Sequence, residues 1–145
     1  MRSFVSVLTV AVLASACASS KDDAGQPNWF VYGSGPAEPA PDPDVGTWSG
    51  SIANGGSASL VLAEDGTGLL CRTSAEKPDK AQVRRVRYRV GLLMTEDDDK
   101  LVITDVRGTA MKMQAADGSL KYELSNDADL QLASPACAAR LSKMR

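Results

Sequence analysis

The sequence predicts an all-β protein: a small antiparallel up-and-down barrel of about eight strands with a short C-terminal helix. Three observations point there. Apolar residues recur at every second position through the latter two-thirds of the chain, the period of a half-buried strand. Asn-Gly and Asp-Gly pairs punctuate these runs, and they supply the positive φ angles that tight hairpins need. No long helical pattern intervenes, so parallel βαβ crossovers are excluded.

Each strand is justified in order. Trp48, Gly50 and Ile52 alternate with Thr47, Ser49 and Ser51, and Asn54-Gly55-Gly56 then turns the chain. Ala58, Leu60 and Leu62 share one face before a second turn at Glu64-Asp65-Gly66, after which come Leu69 and Cys71. Arg84, Val86, Tyr88 and Val90 alternate with Arg85, Arg87 and Arg89. Leu101 and Ile103 follow an acidic turn, Met111 and Met113 come next, and Asp117-Gly118 leads into Leu120, Tyr122 and Leu124. Leu130 with Leu132 makes the last expected strand. A single open sheet of this kind would present two unpaired edges, and closure removes them. Ser134-Pro135 combines an N-cap with proline at the first helical position, so Pro135 to Leu141 reads as a helix, expected to be pinned to the third strand through Cys137 and Cys71 and to cover an open end of the barrel.

Three regions are expected. Residues 1–16 have the build of a secretion leader: Arg2, an apolar run from Phe4 to Leu13, then Ala14-Ser15-Ala16. That run is about half of a membrane span. Residues 17–44 turn to Ser, Gly, Pro, Asp and Ala. The stretch from Pro36 to Asp44 favours extended polyproline II and reads as a spacer. Asn28-Trp29-Phe30-Val31-Tyr32 interrupts it with aromatics that suit docking on the folded part, the headgroup layer or a partner. Residues 45–145 form the barrel domain, about the size of one small domain.

The segment Leu13-Ala14-Ser15-Ala16-Cys17 resembles a bacterial lipobox, with Ala14 where a leucine is usual. That resemblance implies that Cys17 is lipidated and that acyl chains hold the protein to a membrane. Ordinary leader cleavage after Ala16 is the alternative. Ala18 follows, where an aspartate would mark retention at the inner membrane, so the resemblance implies the periplasmic face of the outer membrane. Three cysteines are present; lipidation of Cys17 leaves Cys71 and Cys137, which form either a disulfide in an oxidising compartment or two buried thiols.

Gly46-Thr47-Trp48 resembles the G-x-W that opens the first strand of lipocalins and related calycins. The resemblance implies that Gly46 and Trp48 belong to a barrel floor and that a late basic residue, here Arg140, packs over the indole. The stretches YGSGPAEP, PDVGTWSG and ASPAC are similar to those of an uncharacterised family of small Gram-negative lipoproteins, which implies fold and address but no activity.

Function classes are narrowed by what is missing. The chain has no histidine, which removes His-based triads and HExxH sites. No GxSxG, Walker or dinucleotide fingerprint occurs, so no enzyme and no cofactor is expected. Glu96-Asp97-Asp98-Asp99 lacks the alternate ligands and glycine of a calcium loop and reads as a solvated turn. No metal site is expected. A formal charge of −2 and a pI near 5.1 argue against nucleic acid. Arg85, Arg87 and Arg89 are expected in a row on the outer wall, either facing an anionic partner or paired with neighbouring carboxylates. Trp48, Tyr88, Met111, Met113 and Tyr122 either fill the core or line an apolar pocket. The resulting expectation is a monomeric, membrane-anchored binding module that meets an envelope or secreted protein, as inhibitor-like barrels do. The alternative is a lipocalin-like carrier of a small apolar ligand.

Overall fold

Alternation of apolar and polar residues builds eight strands, and the last pairs back onto the first. A computed structural model describes residues 36–89, 91–128, 130–131 and 134–144; the leader, Cys17 and the aromatic stretch 28–32 lie outside these. The strands are β1 (Gly46–Ile52), β2 (Ser57–Leu62), β3 (Thr67–Thr73), β4 (Gln82–Arg89), β5 (Leu92–Thr95), β6 (Lys100–Arg107), β7 (Ala110–Ala115) and β8 (Lys121–Asn126). Each pairs antiparallel with the next, and β8 closes on β1 with Gly50 opposite Leu124. Gly50 is required there: a Cβ would stand 2.0 Å from the Glu123 carbonyl oxygen. A register shift between Ile103 and Asp105 interrupts the β6–β7 ladder, the position of a β-bulge.

The turns follow the predicted chemistry. Gly55, Gly66, Gly91, Gly108 and Gly118 all have positive φ. Asp65 accepts hydrogen bonds from both the side chain and the backbone N–H of Thr67, which hold its carboxyl below the usual range.

The interior is filled by side chains. Trp48, Leu60, Leu62, Leu70, Val86, Leu93, Leu101, Met111, Met113, Tyr122 and Leu124 are 0–2% exposed and form one cluster, with Tyr88 and Ile103 packed against it. Side chains bordering a ligand-sized void would leave surface to water, and these do not.

Three expectations about elements are corrected. The strand placed at Leu130 and Leu132 is not seen among the described residues: Leu130 sits in a turn with φ 59, Leu132 lies outside them, and Leu92–Thr95 supplies the eighth strand. Only Val90 and Gly91 separate β4 from β5 in the sequence, so no polar gap marks the break. Second, α1 (Pro135–Ser142) does not cover an open end. Its N-cap Ser134 accepts from the Cys137 N–H as expected, but the helix packs on the outer wall over β3 and β4. Cys71 alternates with inward-facing Leu70, so it points outward, and it is joined to Cys137 with Cα atoms 5.8 Å apart. Leu130 and Leu141 complete that outer cluster against Val61, Leu69 and Val83.

Third, residues 36–44, expected in the spacer, lie along the barrel. The Glu38 N–H donates to the Tyr88 carbonyl at 2.9 Å and the Ala40 N–H to that of Glu64 at 3.1 Å. Ala40 joins the core, and Pro41 and Pro43 lead not into polyproline II throughout but into a 3-10 turn at Asp42–Asp44. Gly66 permits this approach, since a Cβ there would stand 1.9 Å from the Glu38 carbonyl oxygen. The strap thus closes the end of the barrel where β2 meets β3 and β4 meets β5. The opposite end is the mouth, ringed by the β1–β2, β3–β4, β5–β6 and β7–β8 connections.

Candidate functional site

Trp48 anchors the closed end. It is buried, and its indole Nε1 donates to the Asp44 carbonyl at 3.0 Å. Gly46 next to it has φ 133, a region L side chains rarely adopt. The floor motif therefore holds the strap rather than a basic side chain: Arg140 is exposed on the outer face of α1 and does not cover the indole. The Asp44 carboxyl is itself buried, which raises its pKa by desolvation.

The expected arginine row is corrected in the same way. Arg85 is exposed, but Arg87 is only 1% exposed. It stands on the outer wall between Thr67 of β3 and Met94 of β5, and Met94 is buried as well. Arg89 is committed to the strap, with Nη1 donating to the Pro36 carbonyl at 3.2 Å and Nε 3.9 Å from Glu38. Alternation tells which face of a strand a side chain leaves; it does not tell what else lies on that face.

The charge exposed to ligands gathers instead at the mouth. Arg72 follows outward Cys71 and so shares the inward face with Leu70. Its Nη1 donates to the Tyr122 hydroxyl at 3.3 Å and its Nη2 to Asp99 at 3.4 Å. Arg84 points to the same end and pairs with Asp97. The turn Glu96 to Asp99 is thus tied down by arginines on two strands, with Asp98 at φ 66. Arg72 was not among the residues singled out in the sequence, although its spacing from Leu70 places it inside the barrel.

Two adjoining clefts open at this mouth, each of about 310 Å³, and both include Arg72 and Leu120. In one, Asp98, Asp99 and Asp117 stand beside Arg72 and Lys100. In the other, Arg72, Lys77 and Lys80 are joined by Asn54, Ser74 and Gln82. Asp117 accepts hydrogen bonds from the side chain and the backbone N–H of Ser119, which hold its carboxyl below the usual range, and the chemistry of these lining residues is that of polar recognition.

Comparison with known proteins agrees with this architecture. The sequence profile of a family described as "Bacterial lipocalin LPS transport optimiser YedD" matches residues 32–141. The chain belongs to the YedD family. A crystal structure of the lipoprotein YedD from Klebsiella pneumoniae subsp. pneumoniae has the same fold, with a TM-score of 0.54 at 18% identity, covering 76% of this chain and 91% of that one. A lipoprotein structure from Streptococcus pneumoniae aligns with a TM-score of 0.47 at 19% identity over 63% of this chain and all of that one, too low to carry an argument. No curated protein matches the chain. The lipocalin resemblance of Gly46-Thr47-Trp48 is thereby shown at the level of family and fold.

Proposed function

We propose that this YedD-family protein is a non-catalytic interaction module of the cell envelope. Held by a lipid on Cys17 to the periplasmic face of the outer membrane, it serves lipopolysaccharide transport through its outer surface and mouth. On this reading it touches a protein of the transport route and does not enclose an acyl chain.

The observation that carries the reading is the filled interior: side chains of 0–2% exposure occupy the space a lipocalin carrier would give to its ligand. The family description supplies the transport context. The lack of histidine supports a binding role over catalysis.

Photo-crosslinking in cells tests this. Photoreactive residues at exposed Lys112 and Glu123 on the wall, at Lys77 and Asp117 at the mouth, and at interior Met113 are compared. The expected outcome is a discrete protein adduct from at least one surface position and no lipopolysaccharide adduct from Met113. A lipopolysaccharide adduct from Met113, or no protein adduct from any surface position, overturns the proposal.

A further inference from the structure

The two clefts at the mouth differ in charge although they share a wall. The one beneath the β3–β4 loop has three cations, Arg72, Lys77 and Lys80, and no carboxylate among its described lining residues. Asn54, Ser74 and Gln82 add side-chain amide and hydroxyl donors. The same loop carries Glu76 and Asp79, but neither lines the cleft.

Its central cation is held in place before any ligand arrives. Arg72 is half-buried, and its hydrogen bonds to Tyr122 and Asp99 occupy one donor on each terminal nitrogen. A guanidinium has five N–H donors in a rigid fork, so others remain for the cleft. A planar, fixed fork suits the paired oxygens of a phosphate, and little side-chain freedom is lost on binding. Lys77 and Lys80 lie on the exposed loop after β3 and can close on an anion from the outside. Ile52 and Leu120 form an apolar floor, which limits competition from water on one side.

The neighbouring cleft sets a limit on size and charge. Asp98, Asp99 and Asp117 flank it, so a chain of several anionic groups entering the mouth would meet repulsion next door. From these observations we infer that the mouth cleft of Arg72, Lys77 and Lys80 is a binding site for a single phosphate or phosphomonoester group. The group is carried either by a lipid headgroup or by a soluble molecule. The site is independent of the protein-contact reading, which rests on the filled interior.

The test is amide NMR on the isotope-labelled chain carrying Cys17→Ser, titrated separately with inorganic phosphate, with heparin and with vesicles. The vesicles are phosphatidylcholine with or without phosphatidic acid. Phosphate is expected to shift the amides of Asn54, of residues 74–77 and of residues 79–82 saturably. Lys77→Ala/Lys80→Ala is expected to weaken that binding by about tenfold, because two exposed cations are lost from three. Lys112→Ala/Lys143→Ala, which removes the same charge elsewhere, is expected to leave it unchanged. Heparin is expected to bind no more tightly than phosphate.

Binding of phosphatidic acid vesicles with competition by phosphate assigns the headgroup as source; binding of phosphate without the vesicles assigns a soluble ligand. Either outcome upholds the site. Three results overturn it: no saturable shift with phosphate, equal weakening by both double variants, or tight heparin binding that tracks total charge. Failure here leaves the crosslinking result untouched, so the two ideas are tested separately.

Discussion

At Asp44 two demands meet in one residue. Its carbonyl accepts the Trp48 indole N–H and so fixes the strap over the barrel end, while its carboxyl is buried and pushed above the ordinary carboxylate pKa by desolvation. An acid whose pKa is raised by folding binds more protons in the native state than in the unfolded one. Its ionised form therefore costs stability above the folded pKa, and that cost fades as pH falls toward the unfolded value. Asp44→Asn, which keeps the carbonyl, is expected to melt higher than the parent at pH 7. The advantage should shrink as the pH is lowered through the acid range, and thermal melts at several pH values check this. Residue-scale detail of this kind was only partly legible. Gly46 and Trp48 could be read as a floor motif, but the partner of the indole proved to be a backbone carbonyl four residues upstream. A sequence pattern marks side chains more readily than it marks backbone oxygens.

Elements were legible where polarity alternates along the strand. β1 and β2 show clean alternation because their inner faces meet the core and much of their outer faces carries small polar residues such as Ser49 and Ser59, which are buried as well but hydrogen-bond to one another at 3.0 Å. β5 was missed because both of its faces are buried: Leu93 enters the core and Met94 is covered on the outer wall, so the run shows no period. The arginine row failed for the related reason that Arg87 is covered too. The helix was legible from Ser134-Pro135 and its attachment to the third strand from Cys71 and Cys137, but its seat on the outer wall was not, since that depends on the outward direction of Cys71. The disulfide that fixes it closes a loop with a sequence separation of 66. Loop-closure entropy assigns such a crosslink about 4 kcal/mol. Cys71→Ala/Cys137→Ala is expected to lower unfolding free energy by roughly that amount, read by urea titration. Hydrogen exchange should show α1 amides losing protection while β1 and β8 keep theirs. Retained protection in α1 would mean that Leu130 and Leu141 alone hold the helix.

On the scale of the whole molecule, the barrel has one closed end, one charged mouth and a packed interior. The strap, the floor tryptophan and the β2–β3 turn belong to the first, and the strap leads into β1 there. No helix among the described residues is long and apolar enough to cross a membrane. The fold class followed from periodicity and turn chemistry because both are local. The mouth did not, because Arg72 and Lys77 of one hairpin, Asn54 of a second and Leu120 of a third meet only when the barrel closes. The central claim is that nothing enters the packed interior. The most direct measurement is methyl NMR of the protein labelled at methionine, titrated with lipopolysaccharide. Met111 and Met113 report the interior and exposed Met144 reports surface association. The account predicts that the Met111 and Met113 signals stay in place whatever Met144 does. A saturable one-to-one shift of Met111 and Met113 would contradict it and make the barrel a carrier.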